Sequence, residues 1–334
     1  MSTPSAVSFE RPLSAAAMRR VMTDLMDGRL GHDEIAVFLS TLARRGETAE
    51  ELAAAVEVVR ARAVRLPLSK RLDLCDTCGT GGDQQGTINV STLAALVAAS
   101  AGVRVAKHGN RAASSRCGSA DLLEALGVNL DATPQEVARC IEEAGFGFCF
   151  APRFHPAMKI VAPVRKALGI RTIFNLIGPL ANPAPLTYQL VGVAEPRLLR
   201  SVAEALVRLG IRHGLVVHGS DGLDEVTITG PTQVVEVRDG HLVDQTLEPE
   251  ACGVRPGPLD AVRGGEPDAN AELARRLLDG AQGPATEIVI LNAGCAIYAA
   301  DQTGTVREGV ARAREALASG RTRELLRRVQ ELTA

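Results

Sequence analysis

Tryptophan is absent, tyrosine occurs twice, and aromatic residues of all kinds make up 3% of the chain. Single strands of nucleic acid stack on aromatic platforms beside basic grooves. This sequence has no such platform and no basic stripe, since 37 Lys and Arg stand against 39 Asp and Glu. Long apolar runs are also missing, because charges interrupt every alanine-rich stretch, so no segment is expected to span a bilayer. Met1 to Pro12 lacks the apolar centre of a signal peptide. Neither nucleic acid nor a membrane is therefore an expected partner, and the cytoplasm is the expected compartment. Of the seven cysteines, five lie among small or apolar neighbours, as reduced core thiols do. Cys75 and Cys78 form a lone CxxC without the second pair that a structural zinc site needs. The chain also lacks G-x-G-x-x-G spacing, the Walker A lysine, any internal repeat and a glutamine amidotransferase domain.

What is present suits a soluble enzyme. With 334 residues, 46% of them apolar, and a formal charge of −2, the chain can bury one large domain and a smaller one. Leu13 to Ala63 reads as helices, with stripes at Val21, Leu25 and Met26, then Ile35, Phe38 and Leu39, then Leu52, Val56 and Val59, punctuated by Gly28, Gly31 and Gly46. An all-helical domain is expected over 1–70, joined by a returning segment, 157–185. From Leu72 strands and helices alternate, and 71–156 with 186–334 are expected to form the larger α/β domain around a central mixed sheet flanked by helices.

Short strands are expected at Val103–Val105, Phe146–Phe150, Leu190–Val193 and Gly214–His218, an edge strand at Val226–Thr229 and a last buried strand at Ile288–Leu291. Thr133-Pro134-Gln135-Glu136 is a capping box. Met158–Leu168 and Pro196–Leu209 read as helices, Gly178–Pro185 as a fixed turn, Val234–Val243 as a hairpin about Asp239-Gly240, and Gly253–Glu266 as an irregular loop. Leu273–Leu278, Arg307–Leu317 and Arg321–Leu332 read as closing helices.

The stretch Asp76 to Gly127 concentrates the chemistry. Gly79, Gly81 and Gly82 can turn the backbone so that its N–H groups approach a ligand, with Asp83 beside them. Asn89 or Ser91 is placed to cap a helix, and Lys107 to Arg111 is expected as a polar turn at a strand's carboxyl end, where α/β sheets collect ligands. Ser119 starts another helix, closed by Gly127. These are parts for holding phosphate. Elsewhere, Arg165 has the fork that grips a planar carboxylate, and adjacent Asp224 and Glu225 suit a magnesium ion shared with substrate phosphates.

The motifs GTGGD (Gly79–Asp83), NVST (Asn89–Thr92), KHGNRAASS (Lys107–Ser115), GSAD (Gly118–Asp121), FHPAMK (Phe154–Lys159) and RTIFNLIGPLANP (Arg171–Pro183), with Asp224-Glu225, resemble the anthranilate phosphoribosyltransferases from about Leu13 onward. The first four are shared with the wider group that includes pyrimidine nucleoside phosphorylases; FHPAMK and GPLANP are specific to the anthranilate enzymes. The resemblance implies a nucleoside phosphorylase-like fold whose cleft lies between the two domains. It implies transfer of a phosphoribosyl group from 5-phosphoribosyl 1-pyrophosphate to anthranilate, the second step of tryptophan synthesis from chorismate.

By the same resemblance, Gly79, Gly81, Gly82, Asp83, Thr87, Asn89, Ser91, Thr92, Lys107 and Ser119 surround the phosphates. His108, Asn110, His155, Met158, Arg165 and Gly178 meet anthranilate. Ser91, Asp224 and Glu225 hold Mg2+, expected as two ions, and Lys107, Asp83 and Arg165 carry most of the catalysis. A homodimer through the helical domain and a separate anthranilate synthase partner are implied as well. Gln84-Gln85 replaces the usual small residues after Asp83, and Cys117 replaces a serine or glycine.

Departure of pyrophosphate asks for neutralised charge more than for a strong nucleophile, and anthranilate's amine is already neutral near pH 7, so no histidine need be a base. Attack is expected to invert C1 through an oxocarbenium-like state without a covalent enzyme intermediate. Two alternatives stand beside this reading, a pyrimidine nucleoside phosphorylase and a non-catalytic nucleotide-binding homologue.

Overall fold

The computed structural model describes residues 8–112 and 115–334. Ala113 and Ser114 of the KHGNRAASS motif, and residues 1–7 of the expected helical domain, lie outside the described residues. The amphipathic stripes near the amino end become three helices, α1 (Ala15–Met26), α2 (His32–Arg45) and α3 (Ala49–Ala61). Thr48 and Glu51 form a capping box that starts α3. Glu51 is fully buried yet satisfied: it accepts from the Leu13 and Thr48 amides and pairs with Arg45. Met22, Leu25, Ile35, Phe38, Leu52 and Val56 close the bundle's interior.

The remaining chain runs β1 (Leu74–Gly79), α4 (Val90–Ser100), β2 (Val105–Gly109), α5 (Ser119–Ala125), α6 (Pro134–Glu143), β3 (Phe146–Phe150), α7 (Ala151–Phe154), α8 (Ala162–Leu168), α9 (Ile173–Leu180) and β4 (Leu186–Gly192). It continues through α10 (Leu199–Arg208), β5 (His213–Gly219), β6 (Thr232–Arg238), β7 (His241–Leu247), α11 (Pro267–Leu278), α12 (Pro284–Ala299), α13 (Val306–Ala318) and α14 (Arg321–Thr333). The sheet order is β3-β2-β1-β4-β5-β6-β7, with β1 to β5 parallel and β6 and β7 antiparallel. This is the expected small helical domain beside a larger α/β domain with a mixed sheet.

The strands feed a small core with Leu74, Ala106 and Cys149 of β1, β2 and β3 and, besides it, two large ones. One, under α4, α12 and α13, takes Cys75, Val105 and Leu215. The other takes Val191, Val216 and Val235 together with α10, the three bundle helices, and Val164, Ile173 and Ile177 of α8 and α9. The sheet order reverses between β1 and β4, and the glycine-rich segment leaves β1 at that switch point, where Thr80 N–H donates to the Gly192 carbonyl (2.9 Å).

Several expected elements differ. Ile288–Leu291 lies inside α12, a helix started by Pro284 and buried on nearly every side, so its apolar run carries no helical stripe. No strand forms at Val226–Thr229; the Asn292 side chain takes the Val226 N–H (2.9 Å) and C=O (2.8 Å) that a ladder would have used. The expected strand at Val103–Val105 runs instead from Val105 to Gly109, so Lys107 and His108 are strand residues facing opposite sides. Met158–Leu168 divides into a 3-10 turn (Pro156–Ile160) and α8.

Gly178–Pro185 is a turn only after Leu180, because α9 includes Gly178 and Pro179. Its last carbonyls are satisfied by side chains: His108 Nδ1 bonds Gly178 (3.1 Å), Gln189 bonds Pro179 (2.7 Å) and Arg60 bonds Leu180 (2.9 Å). The Asp239-Gly240 hairpin, the Thr133 capping box and the closing helices form as expected.

Candidate active site

Gly81 and Gly82 follow β1 with φ of 65° and 84°, and the turn continues through Gln84 at 57°, an unusual value for a side-chain-bearing residue. The Gly81 N–H donates to Asp224 Oδ2 (2.6 Å), and Gln85 Nε2 donates to the Asp221 carbonyl (3.1 Å), so the glycine loop is tied to the acidic turn after β5. Asp224 approaches so closely that a Cβ at Gly79 would strike its carboxylate and one at Gly192 its carbonyl.

Glu225 accepts the Ser91 amide in the first turn of α4 (3.0 Å). The carboxylate thus caps the helix, whereas the Asn89 side chain turns to the Cys117 carbonyl (2.9 Å) and accepts from Asn270 (3.0 Å). Thr92 is buried beneath that turn, and Thr87 pairs with Arg263 in an isolated bridge. Burial raises the Asp224 carboxyl well above its ordinary range, and Asp83 alongside raises it further. Burial and Asp224 do the same to Glu225, against the pull of Lys107.

Crowded carboxylates of this kind call for a cation. Among the described residues no three His, Cys, Asp or Glu side chains form a ready metal cage. That donor set fits magnesium, which takes one or two protein carboxylates and completes its shell with phosphate and water.

Strand alternation sends Lys107 toward the α4 side and His108 toward α9. Lys107 is 2% exposed, and its ammonium donates to the His108 carbonyl (3.2 Å). Ser119 Oγ and the Asn110 backbone bond each other, fixing the turn after β2. Arg111 has turned away from the expected cationic turn to pair with Asp121 and Glu124 on α5.

Beside the glycine loop opens a cavity of about 430 Å³ lined by Gly79, His108, Asn110, His155, Met158, Arg165 and Gly178. These predicted residues come together from five separate stretches of chain. Cys78, Thr80, Phe174 and Asn175 also line it and were not anticipated as site residues; the RTIFN motif was the available signal for the last two. Gly79 belongs to both the cavity wall and the glycine loop, so the two halves of the site adjoin.

The Arg165 guanidinium lies 5.6 Å from the Phe174 ring centroid, and burial lowers its pKa with no carboxylate to oppose it. His108 and His155 meet edge to face at 5.1 Å. Burial, then the neighbouring His155, pushes His108 down to about 3, and burial pushes His155 down to about 4. Both rings are neutral at ordinary pH. Because Gly178 O can only accept, His108 carries its proton on Nδ1.

The chemistry of CxxC is excluded by geometry. Cys75 and Cys78, three apart on β1, face opposite sides, and burial raises both thiols far above the range of reactive cysteines. All seven cysteines are buried and free.

Comparison with known proteins agrees with this arrangement. Residues 7–63 match the helical bundle domain of a glycosyl transferase family, and residues 71–323 match its a/b domain. Anthranilate phosphoribosyltransferase of Symbiobacterium thermophilum is 49% identical over 327 residues, covering 98% of this chain and 96% of its own. That of Thermomicrobium roseum is 50% identical, over 93% and 90%. A crystal structure of the Thermus thermophilus enzyme aligns with a TM-score of 0.92 at 51% identity, over 97% of both chains. The Saccharomyces cerevisiae enzyme, solved in complex with PRPP and Mg, aligns at 0.88 with 27% identity, over 96% and 93%. The chain belongs to this glycosyl transferase family and, within it, to the anthranilate phosphoribosyltransferases.

Proposed function

We propose that the chain transfers the 5-phosphoribosyl group of 5-phosphoribosyl 1-pyrophosphate to the amine of anthranilate, with Mg2+, releasing diphosphate. One observation carries this reading: a glycine loop beside buried carboxylates opens directly into an apolar cavity holding an arginine that has no carboxylate partner among the described residues. Anthranilate brings an aromatic ring and an anionic carboxylate to that wall, whereas the base of a pyrimidine nucleoside is neutral and offers Arg165 no charged partner.

We assign the loop Gly79, Gly81, Gly82 and Asp83, with Thr87, Asn89, Ser91, Thr92 and Ser119, to the phosphates of the donor. Asp224, Glu225 and Ser91 would hold magnesium, which when bound neutralises charge on the departing diphosphate. Lys107, buried on the same side, adds a fixed positive charge there without needing to reorganise. Arg165 grips the anthranilate carboxylate, with the amine left toward Gly79 and Asn110. His108, His155, Met158 and Gly178 shape the channel; both histidines, depressed to about 3 and about 4, are too weakly basic to serve as efficient bases near pH 7 and instead position the ring.

We further assign the segment 157–185 to the helical module, which places the cleft between it and the sheet. A homodimer through that module is part of the proposal, with the exposed Val37 of α2 as a candidate contact, as are cytoplasmic residence and a separate anthranilate synthase. Among the described residues no helix is long and apolar enough to cross a membrane.

The test follows anthranilate fluorescence with purified protein, phosphoribosyl pyrophosphate and magnesium. Decay that requires all three components is expected. A flat signal, with thymidine or uridine cleaved in phosphate instead, would transfer the site to the phosphorylases.

A further inference from the structure

Parallel strands bond through every second residue along their shared length. After a register shift between Leu74 and Cys75, β1 and β4 stay in register over five pairs, from Cys75↔Tyr188 to Gly79↔Gly192, but β1 and β2 register only at Cys75↔Val105. Beyond that point two strands buried inside the sheet separate, and their backbone groups need other partners. Two side chains supply them. Asp76, fully buried on β1, accepts the His108 N–H through Oδ1 (3.2 Å). Asn182, 1% exposed in the turn after α9, donates through Nδ2 to the Ala106 carbonyl (2.7 Å) and to Asp76 Oδ2 (2.8 Å), while its Oδ1 accepts the Ala184 amide (2.8 Å).

We propose that Asp76 and Asn182 are positioning residues of the phosphoribosyl transfer, a side-chain patch that holds β1 and β2 apart. The gap lies directly beneath the site. Just past it, β1 releases the glycine loop, and β2 presents Lys107 to one side and His108 to the other. Asn182 belongs to the chain leaving α9, the helix that contributes Phe174, Asn175 and Gly178 to the cavity wall. The pair therefore sets the phosphate-binding strand ends at a fixed distance from the aromatic-acid wall. Burial pushes the Asp76 carboxyl up, and Lys107 together with the two donated hydrogen bonds pulls it back. A misplacement of about 1 Å between donor and acceptor can cost a hundredfold in rate, so such a spacer acts on turnover without touching either substrate.

This inference rests on the transferase reading, and the experiment separates the two. Wild type, Asp76→Asn, Asn182→Asp and the double variant are compared by steady-state kinetics, thermal midpoint and hydrogen exchange at the His108 amide. Each single variant sets like groups face to face, two donors or two carboxylates; the double variant restores donor to acceptor. The expected result is a kcat about tenfold or more lower in each single variant, with partial recovery in the double variant and faster exchange at His108 wherever kcat falls. Glu287→Gln, which weakens a partly buried ion pair with Arg314 between α12 and α13, neither residue lining the cavity, serves as a control that loses stability and keeps kcat. Single variants within about threefold of wild type would overturn the proposal, as would losses no larger than those of the control at equal destabilisation. An inactive wild type would instead sink the function itself.

Discussion

At the scale of single residues, the proposed carboxylate grip makes Arg165 the residue on which substrate choice would turn. The half-buried Arg165 guanidinium has no carboxylate partner among the described residues, and a hydrogen bond to a charged group contributes about 1.5–3 kcal/mol. Arg165→Ala should raise KM for anthranilate about tenfold to a hundredfold while KM for the phosphoribosyl donor stays near wild type. Equal kinetics in the two proteins would show that the carboxylate is held elsewhere. Gly79 and Gly192 matter for another reason, since the Asp224 turn lies against both Cα atoms. Gly192→Ala should push that turn outward and weaken magnesium binding at least about tenfold, read by titrating the metal against activity. An unchanged magnesium requirement would mean that the turn yields without consequence.

At the scale of elements, legibility followed whether each segment's pattern was set locally. The bundle helices, the Thr133 capping box and the Asp239-Gly240 turn carry their own instructions and appear where expected. Ile288–Leu291 does not: it is equally apolar as a central strand or as a helix buried all round, and only Pro284 and the helix's length distinguish them. The reach of β2 was hidden because Lys107 and His108 look like loop residues, although the cleft lets a strand carry them. The candidate site residues were picked out through the motifs that carry the resemblance; Asn182 lies within one of those motifs and Asp76 just before another, and neither had ligand chemistry to mark it.

Val226 was misread because its backbone is satisfied by a side chain 66 residues away. That contact can be tested. Asn292→Leu would leave the Val226 N–H and C=O buried without partners, a loss of about 2–4 kcal/mol. The thermal midpoint should drop by several degrees, and magnesium affinity should fall with it because Glu225 is the adjacent residue. A midpoint unchanged from wild type would mean that the segment finds other partners.

At the scale of the whole molecule, the cleft's polarity should be visible in acid stability. His108 and His155 are held neutral, at about 3 and about 4, whereas an unfolded chain protonates histidine near 6.5. A depressed histidine pKa means that the unfolded state binds more protons below that value, so stability present above about pH 7 is lost as pH falls toward 4. The buried Asp76, Asp224 and Glu225 work in the opposite direction, because their raised pKa values let the folded state take up protons first. Comparing variants separates the opposing contributions. His155→Gln cannot be protonated, so between pH 7.5 and pH 5 it should lose less unfolding free energy than wild type, as measured by denaturant titration of the metal-free protein. Equal losses would place His155 in contact with solvent in the folded state. The same neutrality governs catalysis: if neither histidine transfers a proton, His155→Gln should lower kcat/KM without changing the shape of its pH profile between about pH 6 and pH 8. A profile that loses an ionisation in the variant would restore His155 as a base and overturn the view that the cleft works by placement and fixed charge.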